Sequence, residues 1–95
     1  VVVVVLNNQI LGYQKHAELS IFGAHTHVVH FQPVDHAAIA KACGVSGVRV
    51  SDPAELGAAL QSALSADVLT VIDVVTDERA YPPVTSFTGK QALDY

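Results

Sequence analysis

Two adjacent asparagines, Asn7 and Asn8, follow directly after the apolar run Val1–Leu6. The β-branched residues of this run predict a strand, and because no polar residue alternates with them, both strand faces should be buried, as in a central strand of a parallel sheet. Polar turns at the carboxyl end of such a strand are common ligand sites. Asn oxygens suit a hard cation such as Mg²⁺, and a following helix N-terminus attracts anions. From the residues alone a simple polar turn is favoured, and an anchor for a cation and a diphosphate is the alternative that the position offers.

Three histidines at positions 25, 27 and 30 could offer imidazoles to a transition metal. In an extended segment, His25 and His27 would share one face and His30 would lie on the other. The first acidic residue after them is Asp35. We therefore expect a surface or pocket-lining segment rather than a zinc site, and we expect His16 and Glu18 to lie on a solvated face.

Two further residues with chemical potential are interpreted as structural. Cys43 precedes a glycine that ends a predicted helix, so we expect a small buried residue rather than a nucleophile. As the only cysteine it forms no internal disulfide, which fits a reducing compartment. Asp73 interrupts an apolar strand, and a buried carboxylate needs a partner. Arg49 on a neighbouring strand is the expected partner.

The elements that would position these residues alternate between strands and helices. Strands are predicted at Val1–Leu6, at Val45–Val50 with a kink at Gly47, and at Val68–Val75; helices are predicted from Ile10 to about Phe22, over His36–Cys43 after an Asp35 cap, and after Asp52. This order predicts an α/β fold with three layers and a mostly parallel sheet.

The helix after Asp52 has the clearest pattern. Asp52, Pro53 and Glu55 have the spacing of an N-cap, a first-turn proline and a capping box. Leucines at 56, 60 and 64, with alanines at 59 and 63, predict one apolar stripe.

Composition narrows the classes of partner. The 95 residues carry 5 Lys and Arg against 9 Asp and Glu, for a net charge of −4, which is too little positive charge for nucleic-acid binding. The longest apolar run falls well short of the roughly 20 residues that span a bilayer. We therefore expect a single domain of a cytoplasmic protein with no nucleic-acid or membrane partner. Because no methionine occurs, even at position 1, we expect a piece of a longer product.

Four ordered segments carry a family resemblance. Val1–Tyr13 resembles the second half of the thiamine-diphosphate motif, in which Asn-Asn stands at a strand end. Pro33–Gly44 resembles the family's "P-D-F-x-x-I-A-x-A-x-G" stretch, and Gly47–Val50 followed by Asp52–Leu56 resembles its "G-x-R-V … E-L" segment. Val71–Val74 resembles its last strand. The similarity is greatest to the acetolactate synthase and pyruvate oxidase branch, at the carboxyl end of the chain.

The resemblance implies roles for specific residues. The Asn8 side chain and the Ile10 backbone carbonyl would coordinate Mg²⁺, and backbone groups of Leu11 and Gly12 would lie close to the diphosphate. Tyr13 would begin the helix that lines the substrate side. In the family the histidine-containing region helps shape the substrate pocket, so His27 and His30 are substrate-side candidates.

The resemblance also implies a function for the parent protein. Residues 1–95 would be the C-terminal portion of a thiamine-diphosphate-binding domain, with 83–95 as an extended tail. The parent would use thiamine diphosphate and Mg²⁺ to decarboxylate a 2-oxo acid and pass the resulting carbanion to an acceptor, as acetolactate synthase does, and it would be a homo-oligomer. A 2-oxo-acid decarboxylase, a pyruvate oxidase or a non-catalytic binding module are the alternatives. The family's Gly-Asp-Gly segment and its activating glutamate are not in this sequence, so the 95 residues alone should be inactive.

Overall fold

The computed structural model describes residues 1–80, in which three strands alternate with three α-helices. The strands are β1 (Val2–Asn7), β2 (Ser46–Val50) and β3 (Thr70–Val75); the helices are α1 (Gly12–Phe22), α2 (His36–Ala42) and α3 (Pro53–Ser65); a 3₁₀ turn covers His27–Val29. The tail expected at 83–95 lies outside the described residues. Within residues 1–80, no helix has the length and apolar character needed to cross a membrane.

The sheet is entirely parallel, with the strand order β1-β3-β2. The prediction of an α/β fold with a parallel sheet is therefore confirmed. The prediction that β1 is a central strand is wrong for the described residues, because β3 takes that place and β1 lies at an edge. Val3 and Val4 are consequently 43% and 42% exposed, whereas Ile72 and Asp73 of β3 are fully buried. A run of valines indicates a strand but not its neighbours, which depend on distant segments.

Two of the helices cover opposite faces of the sheet and so form three layers. Side chains of Val50, Ile72 and Val74 form the apolar core on the face that α3 covers. Alternate residues point to the other face, where Arg49 and Asp73 meet the start of α2. The alternation of side chains along each strand thus separates an apolar face from a polar one.

Gly47 has a packing role rather than the kink expected from the sequence. The pairing of β2 with β3 continues without interruption through this residue. A Cβ atom at position 47 would collide with the backbone carbonyl of Ala37. Glycine therefore allows α2 to approach the sheet closely, as glycines in strands often do.

The helix ends follow the sequence signals closely. Asp35 caps α2 by accepting a hydrogen bond from the Ala38 N–H at 2.9 Å, and Gly44 follows that helix with a positive φ of 77°. Asp52 caps α3, but its carboxylate accepts from the Ala54 N–H at 3.0 Å rather than from the Glu55 N–H that a capping box implies. Both caps satisfy backbone donors that the first helical turn leaves free.

The apolar stripe of α3 is narrower than predicted. Leu56, Ala59, Leu60 and Ala63 pack against the core, whereas Leu64 is 74% exposed. At 100° per residue, position 64 is rotated by about 80° from position 56, which turns it off the sheet-facing side. The expected burial of Cys43 is also wrong: this residue follows the last turn of α2 and is exposed.

Candidate functional site

The segment after β1 forms two consecutive turns closed by asparagine side chains. The Oδ1 atom of Asn7 accepts a hydrogen bond from the Gln9 N–H at 3.0 Å, and Oδ1 of Asn8 accepts from the Ile10 N–H at 3.3 Å. Between them, Gln9 has a φ of +60°, which non-glycine residues rarely adopt. Asn side chains commonly stabilise such turns by bonding to the backbone two residues ahead.

The same segment is tied to the chain around the 3₁₀ turn. The Leu11 N–H donates to the Val29 carbonyl at 2.8 Å, and the Phe31 N–H donates to the Gln9 carbonyl at 3.3 Å. Ile10 forms an antiparallel bridge with His30 and is only 5% exposed. Among residues 1–80, no donor reaches the Ile10 carbonyl oxygen, so this oxygen keeps its lone pairs for a ligand.

Gly12 allows the side chain of Asn8 to lie against the start of α1. A Cβ atom at position 12 would be 2.7 Å from Nδ2 of Asn8, which is closer than carbon and nitrogen atoms pack. The Asn8 amide, the Ile10 carbonyl and the first turn of α1 therefore belong to one compact unit.

Within residues 1–80, no side chain caps the N-terminus of α1. Leu11 stands at the N-cap position without a side-chain hydrogen bond, and the first turn contains no acidic residue. Its free N–H groups and the positive end of the helix dipole therefore favour an anion. Of the residues predicted for the site, Asn8, Ile10, Leu11 and Gly12 lie together here, and Tyr13 follows in α1 with an exposed side chain.

Two cavities border this unit. One has a volume of about 420 Å³ and extends along β1 to Val34 and His36. The other has a volume of about 380 Å³ and extends to His30 and to the residues that follow β3. Asn8 lines both cavities. The sequence prediction included His30 as a pocket residue but missed His36.

A buried polar network lies next to the site, on the sheet face that α2 covers. Asn7 is 6% exposed, and its Nδ2 donates to the Val34 carbonyl at 2.9 Å and to Oδ2 of Asp73 at 3.3 Å. Nη1 of Arg49 donates to the same Asp73 oxygen at 3.3 Å, which confirms the predicted pairing of these residues. The sequence analysis missed the role of Asn7. Odd-numbered residues of β1 and β3 point to the same face of the sheet, which places Asn7 and Asp73 on that face.

The histidines adopt an arrangement different from the one expected. Because His27–Val29 is a 3₁₀ turn and not a strand, His25 and His30 approach each other, with ring centroids 5.4 Å apart. The prediction that His25 and His27 share a face opposite His30 rested on an extended segment and is wrong. In residues 1–80, no three His, Cys, Asp or Glu side chains cluster closely enough to hold a metal ion.

The prediction of a solvated face at His16 and Glu18 is wrong for His16. His16 is buried, and its Nε2 lies 3.4 Å from the Glu78 carbonyl oxygen, because the segment after β3 passes over α1. Glu18 instead accepts the Gln14 side-chain amide and the Thr26 N–H. These hydrogen bonds, of which the one from Gln14 has the larger effect, hold the pKa of the Glu18 carboxyl below its ordinary value.

Comparisons with known proteins agree with this geometry. The family described as "Thiamine pyrophosphate enzyme, C-terminal TPP binding domain" matches residues 1–74. Over 75 residues the chain is 39% identical to a Bacillus subtilis (strain 168) protein named "Putative thiamine pyrophosphate-containing protein YdaP". The matched part is 79% of this chain and 13% of that relative, so the chain spans only a small share of the relative's length.

Proposed function

Because the chain belongs to the family of C-terminal domains that bind thiamine pyrophosphate (thiamine diphosphate), we propose that residues 7–13 hold the diphosphate of this cofactor through Mg²⁺. The observation that carries the proposal is that an uncapped helix N-terminus and two oxygen donors, Asn8 Oδ1 and the Ile10 carbonyl, occur in one turn. Neutral oxygens suit a hard cation, and free helical N–H groups suit phosphate.

The residues present fit this ligand set. The Ile10 carbonyl accepts no hydrogen bond from residues 1–80, and the Asn8 carbonyl oxygen, held by the Ile10 N–H, keeps a second lone pair. Gly12 leaves open the space that a side chain would fill against Asn8. In this proposal the Leu11–Gly12 backbone lies beside the diphosphate, and Tyr13 begins the helix on the substrate side.

The role of this chain is to bind and to orient. Thiamine diphosphate, when bound, supplies an electron sink for cleaving or forming the bond next to a carbonyl carbon. Residues 7–13 would fix the position of its diphosphate end and thereby the reach of its reactive ring. Because of the resemblance, we propose a parent enzyme that acts on a 2-oxo acid by decarboxylation and carboligation, like acetolactate synthase. A decarboxylase or pyruvate oxidase is the nearest alternative.

We further propose that the parent protein is a homo-oligomer. In residues 1–80 the outer edge of β1 has no paired strand, and several of its apolar side chains, including Val4 and Leu6, are exposed. Edges and apolar faces of this kind favour association. Sedimentation at physiological salt tests this proposal, and a monomer at every concentration would contradict it.

The binding role is tested by replacing Asn8 in the full-length protein that contains this chain. We expect Asn8→Ala to lower the affinity for thiamine diphosphate with Mg²⁺ at least tenfold, or about 1.4 kcal/mol, in titration calorimetry. Asn8→Asp should have a milder effect because a carboxylate oxygen also binds a hard cation. Gln61→Ala, on the exposed side of α3, is the control and should bind as the wild type does. Equal affinities for Asn8→Ala and wild type would exclude Asn8 from the metal site.

A non-catalytic binding module is the candidate from another class. It would bind the cofactor, or another ligand, without turning over a 2-oxo acid. The full-length protein, loaded with thiamine diphosphate and Mg²⁺, should release CO₂ from pyruvate or a related 2-oxo acid. Tight cofactor binding with no turnover of any 2-oxo acid would favour the module instead.

A further inference from the structure

The carboxylate of Asp73 joins three elements of the fold at one buried point. Asp73 has no exposed surface, and its Oδ2 atom accepts hydrogen bonds from Asn7 of β1, Arg49 of β2 and the backbone N–H of His36 in α2. The His36 bond is the shortest, at 3.0 Å. Among residues 1–80 no donor bonds to the other oxygen, Oδ1, which lies 3.4 Å from Nδ1 of His36. Because a buried carboxylate is costly without donors, the three bonds to Oδ2 hold the side chain in place.

Asn7 connects this carboxylate to the candidate cofactor site. Its amide nitrogen donates to Oδ2 of Asp73 and to the Val34 carbonyl and also lies 3.3 Å from Nδ1 of His36, while its amide oxygen accepts the Gln9 N–H. Rotating the amide by 180° would bring its oxygen against both acceptors and its nitrogen against the Gln9 N–H. The Asp73 carboxylate, together with the Val34 carbonyl and the Gln9 N–H, therefore favours one orientation of the Asn7 amide.

Gln9 connects Asn7 to the two oxygen atoms proposed as metal ligands, Oδ1 of Asn8 and the Ile10 carbonyl oxygen. It stands between Asn8 and Ile10 in the chain, and its positive φ turns the backbone at that point. Residues hold such a conformation only when neighbouring bonds impose it. Here the Asn7 oxygen holds the Gln9 N–H, and the Phe31 N–H holds the Gln9 carbonyl.

We propose that Asp73 is a positioning residue for the cation site. It acts through Asn7 and Gln9, and it sets the direction of the Asn8 side chain relative to the Ile10 carbonyl without touching the cofactor itself. This inference rests on the proposed role of Asn8 and Ile10, and it adds a residue distant in sequence to that site.

Two variants of the full-length protein test the inference, Asp73→Asn and Asn7→Ala. Asp73→Asn removes the charge that orients the Asn7 amide, and Asn7→Ala removes the link itself. In the cofactor-free protein, we expect amide deuterium exchange of the peptide covering residues 7–12 to become at least tenfold faster. The affinity for thiamine diphosphate with Mg²⁺ should fall at least tenfold in both variants. If Asp73→Asn does not fold, Asn7→Ala still tests the link, because exchange at residues 7–12 at the wild-type rate in that variant would overturn the positioning role.

Ile72→Val is the matched control for a merely structural role. Ile72 is the fully buried neighbour of Asp73, but it points into the core under α3. This variant should destabilise the fold while leaving exchange at residues 7–12 at the wild-type rate. If both network variants speed exchange there no more than Ile72→Val does, the positioning role is wrong.

Asn8→Ala separates this inference from the proposed function. If Asn8→Ala binds the cofactor as the wild type does, the proposed function fails. If Asn8→Ala weakens binding while Asp73→Asn and Asn7→Ala bind normally, the positioning inference alone is wrong. Weaker binding in all three variants, with faster exchange at residues 7–12 in the two network variants, supports both.

Discussion

Two strand-to-helix turns follow the carboxyl ends of parallel strands and so lie at the same end of the sheet. They differ in how the following helix begins. After β2, Asp52 caps α3 with its carboxylate, Pro53 occupies the first helical position, and Glu55 adds an acid to the first turn. After β1, α1 begins at Gly12 with neither a side-chain cap nor an acid. The start of α3 thus bonds its own backbone N–H groups, whereas the start of α1 leaves these groups for a ligand.

The start of α3 is built for stability, whereas the start of α1 is suited to binding a ligand. A cap, a first-turn proline and an acid all stabilise a helix start, and α3 has all three. The turn before α1 lacks them and contains Gln9 in a costly backbone conformation. Strain and unsatisfied donors persist where surrounding bonds impose them, which is typical of a site that a ligand completes.

The largest effect should come from closing the space at Gly12. Gly12→Ala places a methyl group against Asn8, so we expect cofactor affinity to fall more than tenfold, by about 2 kcal/mol. Because alanine favours a helix, the stability of the cofactor-free protein should not fall with it. Gly57→Ala is the matched control, since a Cβ atom there meets nothing within 4 Å. It should leave affinity unchanged, and a similar loss in both variants would contradict the prediction.

Giving α1 the kind of cap that α3 has should weaken binding less. Leu11→Asp supplies a carboxylate that competes with the diphosphate for the helix N–H groups and repels it, so we expect roughly fivefold weaker binding, about 1 kcal/mol. Leu11→Asn supplies a cap without charge and should lose less. Calorimetric titration of both variants is the measurement. Tighter binding by Leu11→Asp would show that α1 does not face an anion.

Removing the cap of α3 should affect stability and not binding. Asp52→Ala leaves the Ala54 N–H without its acceptor, so the free energy of unfolding should fall by about 1 kcal/mol. Urea unfolding of the cofactor-free protein measures this loss, and Asp52→Asn should restore most of it. A clear decrease in cofactor affinity in Asp52→Ala would mean that the two turns are coupled.

The smallest effect is a pH dependence at the start of α2. The Ala38 N–H, helped by the positive charge of Arg49, holds the pKa of the Asp35 carboxyl below its ordinary value of 3.8. The stabilisation is therefore complete above that ordinary value and is lost as the pH falls through the lowered pKa of the folded state. Asp35→Asn keeps a cap without the charge, so its urea midpoint should depend less on pH between about 5 and 2. Identical pH profiles would exclude this contribution.

Local chemistry in the sequence was enough to predict the elements. Apolar runs and capping residues depend on nearby backbone, so the strands and the caps of α2 and α3 could be identified, whereas the assignment of Asn8–Gly12 to the cofactor stays a prediction. The pairing of Arg49 with Asp73 followed because a charge within a buried strand requires a partner.

Features that depend on distant segments could not be predicted in the same way. The edge position of β1 depends on β3, and the burial of His16 depends on the segment after β3. The orientation of Asn7 depends on a carboxylate from the other end of the described chain. None of these contacts leaves a periodic signal in the sequence near the residue it affects.

The strand order also has a consequence for biosynthesis. Among the described residues, β1 and β2 pair only with β3, which the ribosome delivers after both of them. Until Thr70–Val75 emerges, the two earlier strands have no partner within this segment, and Asn7 has no carboxylate to orient it. Within this segment the valine-rich β1 therefore has no strand to pair with until most of the segment has been translated, and we expect a chain that ends before Thr70 to be prone to aggregation.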